Sequence, residues 1–121
     1  MGILDFGSEI TFSYALGNVT GEHYTGGLIG DQHNGSLNRT FSSGAVTGQA
    51  YTGGLTGLFD GYDNENNYWD VERSGQTYSA VGIGKTTYEM YQRNTYAEWD
   101  FVNVWGIDNG NDYPKLKYLD E

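Results

Sequence analysis

The chain has 121 residues, with 16 Asp and Glu against six Lys and Arg, a formal net charge of −10, and no cysteine. That balance leaves no basic footprint for nucleic acid or for an anionic membrane surface, and it excludes a disulfide framework and a cysteine-based zinc site. Hydrophobic content is only 37% and Gly contributes 19 residues, but 11 Tyr, 5 Phe and 3 Trp are too many for a solvated tail.

No apolar run approaches a membrane span, so membrane insertion is not expected. No leader is visible, and Met1-Gly2 reads as the start of a segment of something longer. Ile3-Leu4-Asp5-Phe6 reads as part of a preceding coil. From residue 8 the chain repeats with a period of 27: Gly21, Gly48 and Gly75; Tyr24, Tyr51 and Tyr78; Thr25, Thr52 and Ser79; Gly30, Gly57 and Gly84. The phases are 8–34, 35–61 and 62–88. A gapless period of this length means stacked supersecondary units.

Within a repeat, Ile10 to Leu16 alternates with period two, as a half-buried strand does, and Leu37 to Ser43 copies it. A second short run centres on Val19 and Val46, a third on Leu28-Ile29 and Leu55. Glycines between the runs are expected to supply positive-φ corners. Three short strands per repeat predict one coil of a right-handed parallel β-helix, an all-β solenoid of about three coils over residues 1–84. Equivalent side chains would stack in ladders: Tyr14, Phe41 and Tyr68; Val19 and Val46; Leu28 and Leu55. The third copy is degraded, with Asn64 and Arg73 at apolar ladder positions, and reads as a terminal coil adapting to its cap.

Residues 85–121 read as that cap. Lys85 to Arg93 is the one plausible helix, with Thr86 or Thr87 as N-cap and Glu89 in its first turn. The aromatics of Trp99-Asp-Phe101, Val104-Trp-Gly-Ile107 and Tyr113-Pro-Lys-Leu116 are expected to cover the last coil. The N-terminal end has no comparable cover, and an open strand edge invites another chain.

The segments Gly26-Gly27-Leu28-Ile-Gly30 and Gly53-Gly54-Leu55-Thr-Gly57 resemble the GLUG motif of bacterial and archaeal surface proteins. Ser13 to Gly21 and Thr40 to Gly48 match the rest of that repeat, and the tail resembles the segment that often closes such arrays. The resemblance implies a parallel β-helix in an exported, often adhesive, protein and implies no catalysis.

Candidate sites compete with plainer readings. Two oxygen-rich loops are candidates for calcium: Asp60, Asp63, Asn64, Glu65 and Asp70, and Asp108, Asn109, Asn111 and Asp112. Neither has EF-hand spacing, and solvated turns explain both. No other cofactor is implied. The two histidines, His23 and His33, come with no nucleophile elbow or metal motif, so the chain reads as non-enzymatic. Tyr24, Tyr51 and Tyr78 form a strip that could stack on sugars if exposed, whereas their amphipathic rings favour packing at the core boundary. Thr20, Thr47 and Ser74, with Thr25, Thr52 and Ser79, make two hydroxyl ranks of the kind that bind ice if coplanar. Asn18, Asn34 and Asn38 open glycosylation sequons.

The composite expectation is a structural or adhesive module of an extracellular, cell-surface protein. Its open end would associate with itself, up to filaments, or continue a longer chain. The alternative is a carbohydrate-binding module that takes surface glycans on the tyrosine ladder or through a calcium loop.

Overall fold

The computed structural model describes residues 1–4, 8–60 and 64–117. Asp5, Phe6 and Asp63 therefore lie outside the described residues. The strands are β1 Ile3–Leu4, β2 Glu9–Ala15, β3 Val19–Thr20, β4 His23–Gly26, β5 Ile29–His33, β6 Ser36–Ser42, β7 Val46–Thr47, β8 Ala50–Gly53, β9 Thr56–Asp60, β10 Asn64–Glu65, β11 Tyr68–Asp70, β12 Ile83–Lys85, β13 Trp105–Gly106 and β14 Lys115–Leu116. Two single-turn helices, α1 Val71–Ser74 and α2 Thr87–Met90, and a 3-10 turn at Arg93–Thr95 complete the described elements.

The first two repeats pair strand for strand, in parallel and 27 positions apart. Tyr14 lies opposite Phe41, Val19 opposite Val46, Thr25 opposite Thr52 and Ile29 opposite Thr56. The third copy keeps this offset only through β10 and β11, where Asn64 lies opposite Leu37 and Tyr68 opposite Phe41, and then departs from it. At Val71, where the earlier repeats leave their long strand, Asp70 caps a helix by accepting from the Glu72 and Arg73 amides, and Gly75 ends it at φ 72°. The chain then returns to the same sheet after only 15 positions, Ile83 lying opposite Tyr68.

The expected right-handed β-helix of three coils is corrected by this result. The fold is mostly β, but it is divided among small sheets: order β1-β5-β9, a five-stranded sheet of β2, β6, β10, β11 and β12, the pairs β3-β7 and β4-β8, and the antiparallel pair β13-β14. The sequence period survives the third copy better than the backbone does, because one capping aspartate is enough to start a helical turn.

Glycine does not turn the corners either. The described positive-φ glycines are Gly75, Gly82 and Gly110, none of them in the paired repeats. Inside the repeats the described left-handed residues are Phe12, Arg39 and Asn66 at one level, Tyr24 and Tyr51 at another, and Asn34. The first rank reverses which side of the strand faces inward. Leu37, before Arg39, enters one core with Leu4, Ile29, Leu55, Trp69 and Val81. Phe41, after it, enters a second core with Tyr68, Met90, Tyr96, Trp99, Trp105, Tyr113 and Leu116.

The C-terminal aromatics therefore lie along the side of the five-stranded sheet, against Tyr14, Phe41 and Tyr68, instead of over the last repeat. Trp99 and Trp105 stack at 4.4 Å, and Phe41 stacks on Tyr113 at 5.7 Å. Helix α2 carries a capping box: Thr86 accepts from the Glu89 amide, and the Glu89 carboxylate accepts from the Thr86 amide, which holds that carboxyl below its usual range. Cover for the inner core comes from residues 76–82, where Val81 is buried beside Leu55 and Trp69.

Breaking the strand at Arg39 strands two backbone groups, and Asn67 satisfies both. Its Oδ1 accepts from the Thr40 amide at 3.1 Å and hydroxyl at 2.8 Å, and its Nδ2 donates to the Leu37 carbonyl at 2.8 Å. Each stranded buried group costs about 1–3 kcal/mol. Asn67→Ala is expected to destabilise the fold by about 2–5 kcal/mol in guanidinium unfolding. A change within about 0.5 kcal/mol, the range of an ordinary surface substitution, contradicts the role.

Candidate functional site

The strand edge of the first repeat is the feature that the fold leaves open. Among the described residues β3 pairs with β7 alone and β4 with β8 alone, and β2 is an end strand paired with β6. Val19 and Gly21 donate their amides to the Ala45 and Thr47 carbonyls at 2.8 and 2.9 Å. Alternation then turns the amide and carbonyl of Thr20, which is exposed, to the opposite side. A shallow depression of about 290 Å³ lies on this side, lined by Val19, Thr20, His23 and Tyr24 among others.

The tyrosine column stands at the edge and is not core. Tyr24 is 44% exposed, Tyr51 58% and Tyr78 62%, so the expectation of boundary packing is corrected. Positive φ at Tyr24 and Tyr51 throws these side chains outward. The column is not a flat strip for sugars either. Tyr24 and Tyr51 stack on each other at 5.2 Å and 26°, which consumes one face of each, and Tyr78 makes no ring contact with them. The outer face of Tyr24, beside His23 at 6.4 Å, is the face left for a partner.

The motif glycines are sites of close backbone approach. A Cβ on Gly26 would lie 2.7 Å from the Leu55 carbonyl oxygen, and one on Gly27 2.6 Å from Ser42 Oγ. On Gly30 it would come within 2.9 Å of the Gly2 carbonyl oxygen, and on Gly57 within 2.7 Å of that of Gly30. Gly53 and Gly54 are closed in the same way by Ser79 Cα at 2.9 Å and by the Trp69 ring. Leu55 is fully buried and Leu28 packs half-buried against the same core.

The two oxygen-rich loops are spent on local structure. Asp108 accepts from Asn111 Nδ2 at 3.1 Å, Asn109 from the Arg93 amide at 2.7 Å, and Asp112 from the Tyr113 amide at 2.8 Å, while Asp112 Oδ2 pairs with Lys115 Nζ at 3.2 Å. Burial pushes the Asp112 carboxyl up, but the Tyr113 amide and Lys115 outweigh it and hold it low. In the other loop Asn64 Oδ1 accepts from Gln32 Nε2 at 2.7 Å and from the Leu37 amide at 2.9 Å. Asp60, on the surface, lies 3.9 Å from His33, whose other ring nitrogen is 3.4 Å from Asp31. Among the described residues no three acidic or histidine side chains are grouped to hold a metal. The hydroxyl ranks do not share a plane: Thr20 and Thr47 are exposed, whereas Thr25 and Ser74 are buried.

Asp70, expected in a solvated loop, is fully buried. Beyond its helix-capping bonds, its Oδ2 accepts from Thr87 Oγ1 and Tyr113 Oη, both at 2.6 Å. This carboxylate ties β11, α1, α2 and the C-terminal segment together. Sequence reasoning missed it, although an Asp followed at position five by Gly75, with Glu72 between, is a recognisable helix start and stop. Arg73 lies over the Tyr113 ring at 5.4 Å. Burial, and then the Asp70 hydrogen bond and charge, push the Tyr113 hydroxyl well above its ordinary value. Burial, with smaller contributions from Tyr113, Tyr68 and Asp70, does the same to Tyr96.

No protein-family profile matches the chain. Among curated proteins it is similar to one named "Putative Gly-rich membrane protein" from Evansella cellulosilytica, at 33% identity over 120 residues, spanning 88% of this chain and 14% of that protein. No solved structure matches. Among the described residues no helix is long and apolar enough to cross a membrane.

The tyrosines give the fold an alkaline limit. An unfolded tyrosine ionises near pH 10, and folded Tyr96 and Tyr113 only above it. Their contribution is complete below about pH 10 and is lost as pH rises through their folded values. The guanidinium midpoint should therefore fall steeply above about pH 10. In a Tyr96→Phe, Tyr113→Phe variant it should start lower and fall less. An equal alkaline slope in both proteins contradicts the assignment.

Proposed function

We propose that this chain is a non-catalytic structural module of an envelope protein exposed at the cell surface, and that it joins other β segments through the edge of β2, β3 and β4. The observation that carries the reading is the one-sidedness of the strand pairing: β2, β3 and β4 each have their partner on the same side. Such an edge offers a row of backbone groups to an added strand. The envelope location draws on the name of the Evansella cellulosilytica protein and on the acidic balance of the chain, which suits a solvated exterior.

The opposite side supports a limit on assembly. Tyr78 and Ala80 bond to Gly54 and Thr56 there, and Ser79 Oγ accepts from the Leu55 and Thr56 amides at 3.1 and 2.9 Å. Copies adding head to tail would have to displace this cover. Association should therefore close at a dimer and not grow into filaments.

The glycan reading keeps one supporting observation, the free outer face of Tyr24 above the depression. A single face gives a small site. Glycan-array binding abolished by Tyr24→Ala would favour it over the structural reading.

Sedimentation velocity over rising concentration tests the edge. The chain should reach a dimer and stop, and Thr20→Pro, which removes an outward amide while sparing the bonds of Val19 and Gly21, should remain monomeric with its near-ultraviolet dichroism unchanged. Should that variant misfold, Thr20→Lys serves the same purpose. A wild-type chain that stays monomeric at the highest concentration, or one that forms open-ended filaments, contradicts the reading.

A further inference from the structure

We infer that the partner of the β2–β4 edge is one upstream repeat, paired strand for strand as the first repeat pairs with the second but at an offset of 28, the offset at which Ile3 already lies opposite Asp31. This rests on the edge-pairing reading and names its occupant. Residues 1–4 already pair as the last strand of such a repeat. The Met1 nitrogen donates to the Leu28 carbonyl at 2.8 Å, as the Ile29 amide donates to the Leu55 carbonyl at 3.1 Å. Gly30 and Asp31 donate to the Met1 and Gly2 carbonyls, both at 2.8 Å, and Ile3 and Leu4 lie opposite Asp31 and Gln32. Gly2 thus stands where Gly30 stands one repeat later. What precedes it in a repeat, the strands matching β2 to β4, would lie along the free edge.

Gly17 points to the same occupant. Among the described residues nothing lies within 4 Å of a Cβ built there, and its φ is outside the left-handed range, so no described residue requires a glycine at this position. Its counterpart one repeat on, Gly44, is buried, and a Cβ there would fall on the carbonyl oxygen of Gly17. The crossing that forces glycine at Gly44 is a carbonyl of the repeat upstream. Gly17 needs the same explanation, and an upstream carbonyl supplies it.

Two further groups match the same occupant. Asn18 Oδ1 accepts from the Ala45 amide at 3.0 Å, so an asparagine in an upstream repeat would accept from Asn18 in turn. The free face of Tyr24 fits a tyrosine one repeat earlier, as Tyr51 receives Tyr24. A copy of residues 8–28 carries all of these groups. Placed directly ahead of Met1 it runs into Met1-Gly2 as Leu28 runs into Ile29-Gly30.

The test is the full chain extended by a second copy of residues 8–28 ahead of Met1. The added copy should resist protease, Tm should rise, and the Thr20 amide should move from fast to slow hydrogen exchange. Gly17→Ala should reverse the gain in the extended chain and leave Tm unchanged in the original one, and alanine at the tyrosine of the added copy should remove part of the gain. An added copy that stays protease-sensitive while the chain still dimerises through its edge overturns the inference and spares the edge reading. A protease-sensitive copy on a chain that never associates overturns both. Equal loss of Tm on Gly17→Ala in both chains overturns the argument from Gly17.

Discussion

Parallel backbone pairing of the first repeat with the second at an offset of 27 is the constraint on which the rest of this molecule depends. It brings like residues to one level, so a backbone conformation adopted once is adopted again one repeat later. Left-handed φ at Phe12, Arg39 and Asn66 is the consequential case. A single such residue in an isolated strand would be a local irregularity. Repeated at one level it becomes a crease through the sheet, with aliphatic side chains before it and aromatic ones after it on different faces. The crease explains why a chain of this length holds two cores, and why the aromatic C-terminal segment lies along the side of the sheet.

The crease also sets the polar requirements. Asn67 serves the groups it frees at Leu37 and Thr40, and Asn64 serves the Leu37 amide and Gln32. Asp70 then ends the repeating pattern by starting a helix and gathering Thr87 and Tyr113 around its second oxygen. Each residue stands in the third copy, which therefore acts as a polar cover for the two paired repeats and not as a third equal to them. Among the described residues nothing covers the first repeat in this way, and its edge remains available for another strand.

Much of this was legible in the residues, and the failures are instructive. The equivalences Tyr14 with Phe41 and Val19 with Val46 follow directly from the period. The Thr86 and Glu89 cap follows from their spacing. The third copy resembles the first two in sequence and not in backbone, because Asp70 and Gly75 carry a helix start and stop inside the repeat. The glycines were misread because close approach and positive φ leave the same mark in a sequence, and only the contacts around Gly26, Gly27 and Gly57 separate them. The tyrosine column was placed at the core boundary because nothing in the residue type reveals that Tyr24 and Tyr51 adopt left-handed backbone, a conformation that an aromatic residue rarely takes. Asp70 looked like a loop carboxylate because its partners, Thr87 and Tyr113, are distant in sequence.

The decisive measurement is amide hydrogen exchange resolved by residue in the isolated chain at low concentration. Val19 and Gly21, which donate to the second repeat, should exchange slowly, while Thr20 between them, turned to the free edge, should exchange at nearly the rate of an unstructured amide. Equal protection of all three amides would contradict a fold paired on one side at an offset of 27 and open on the other.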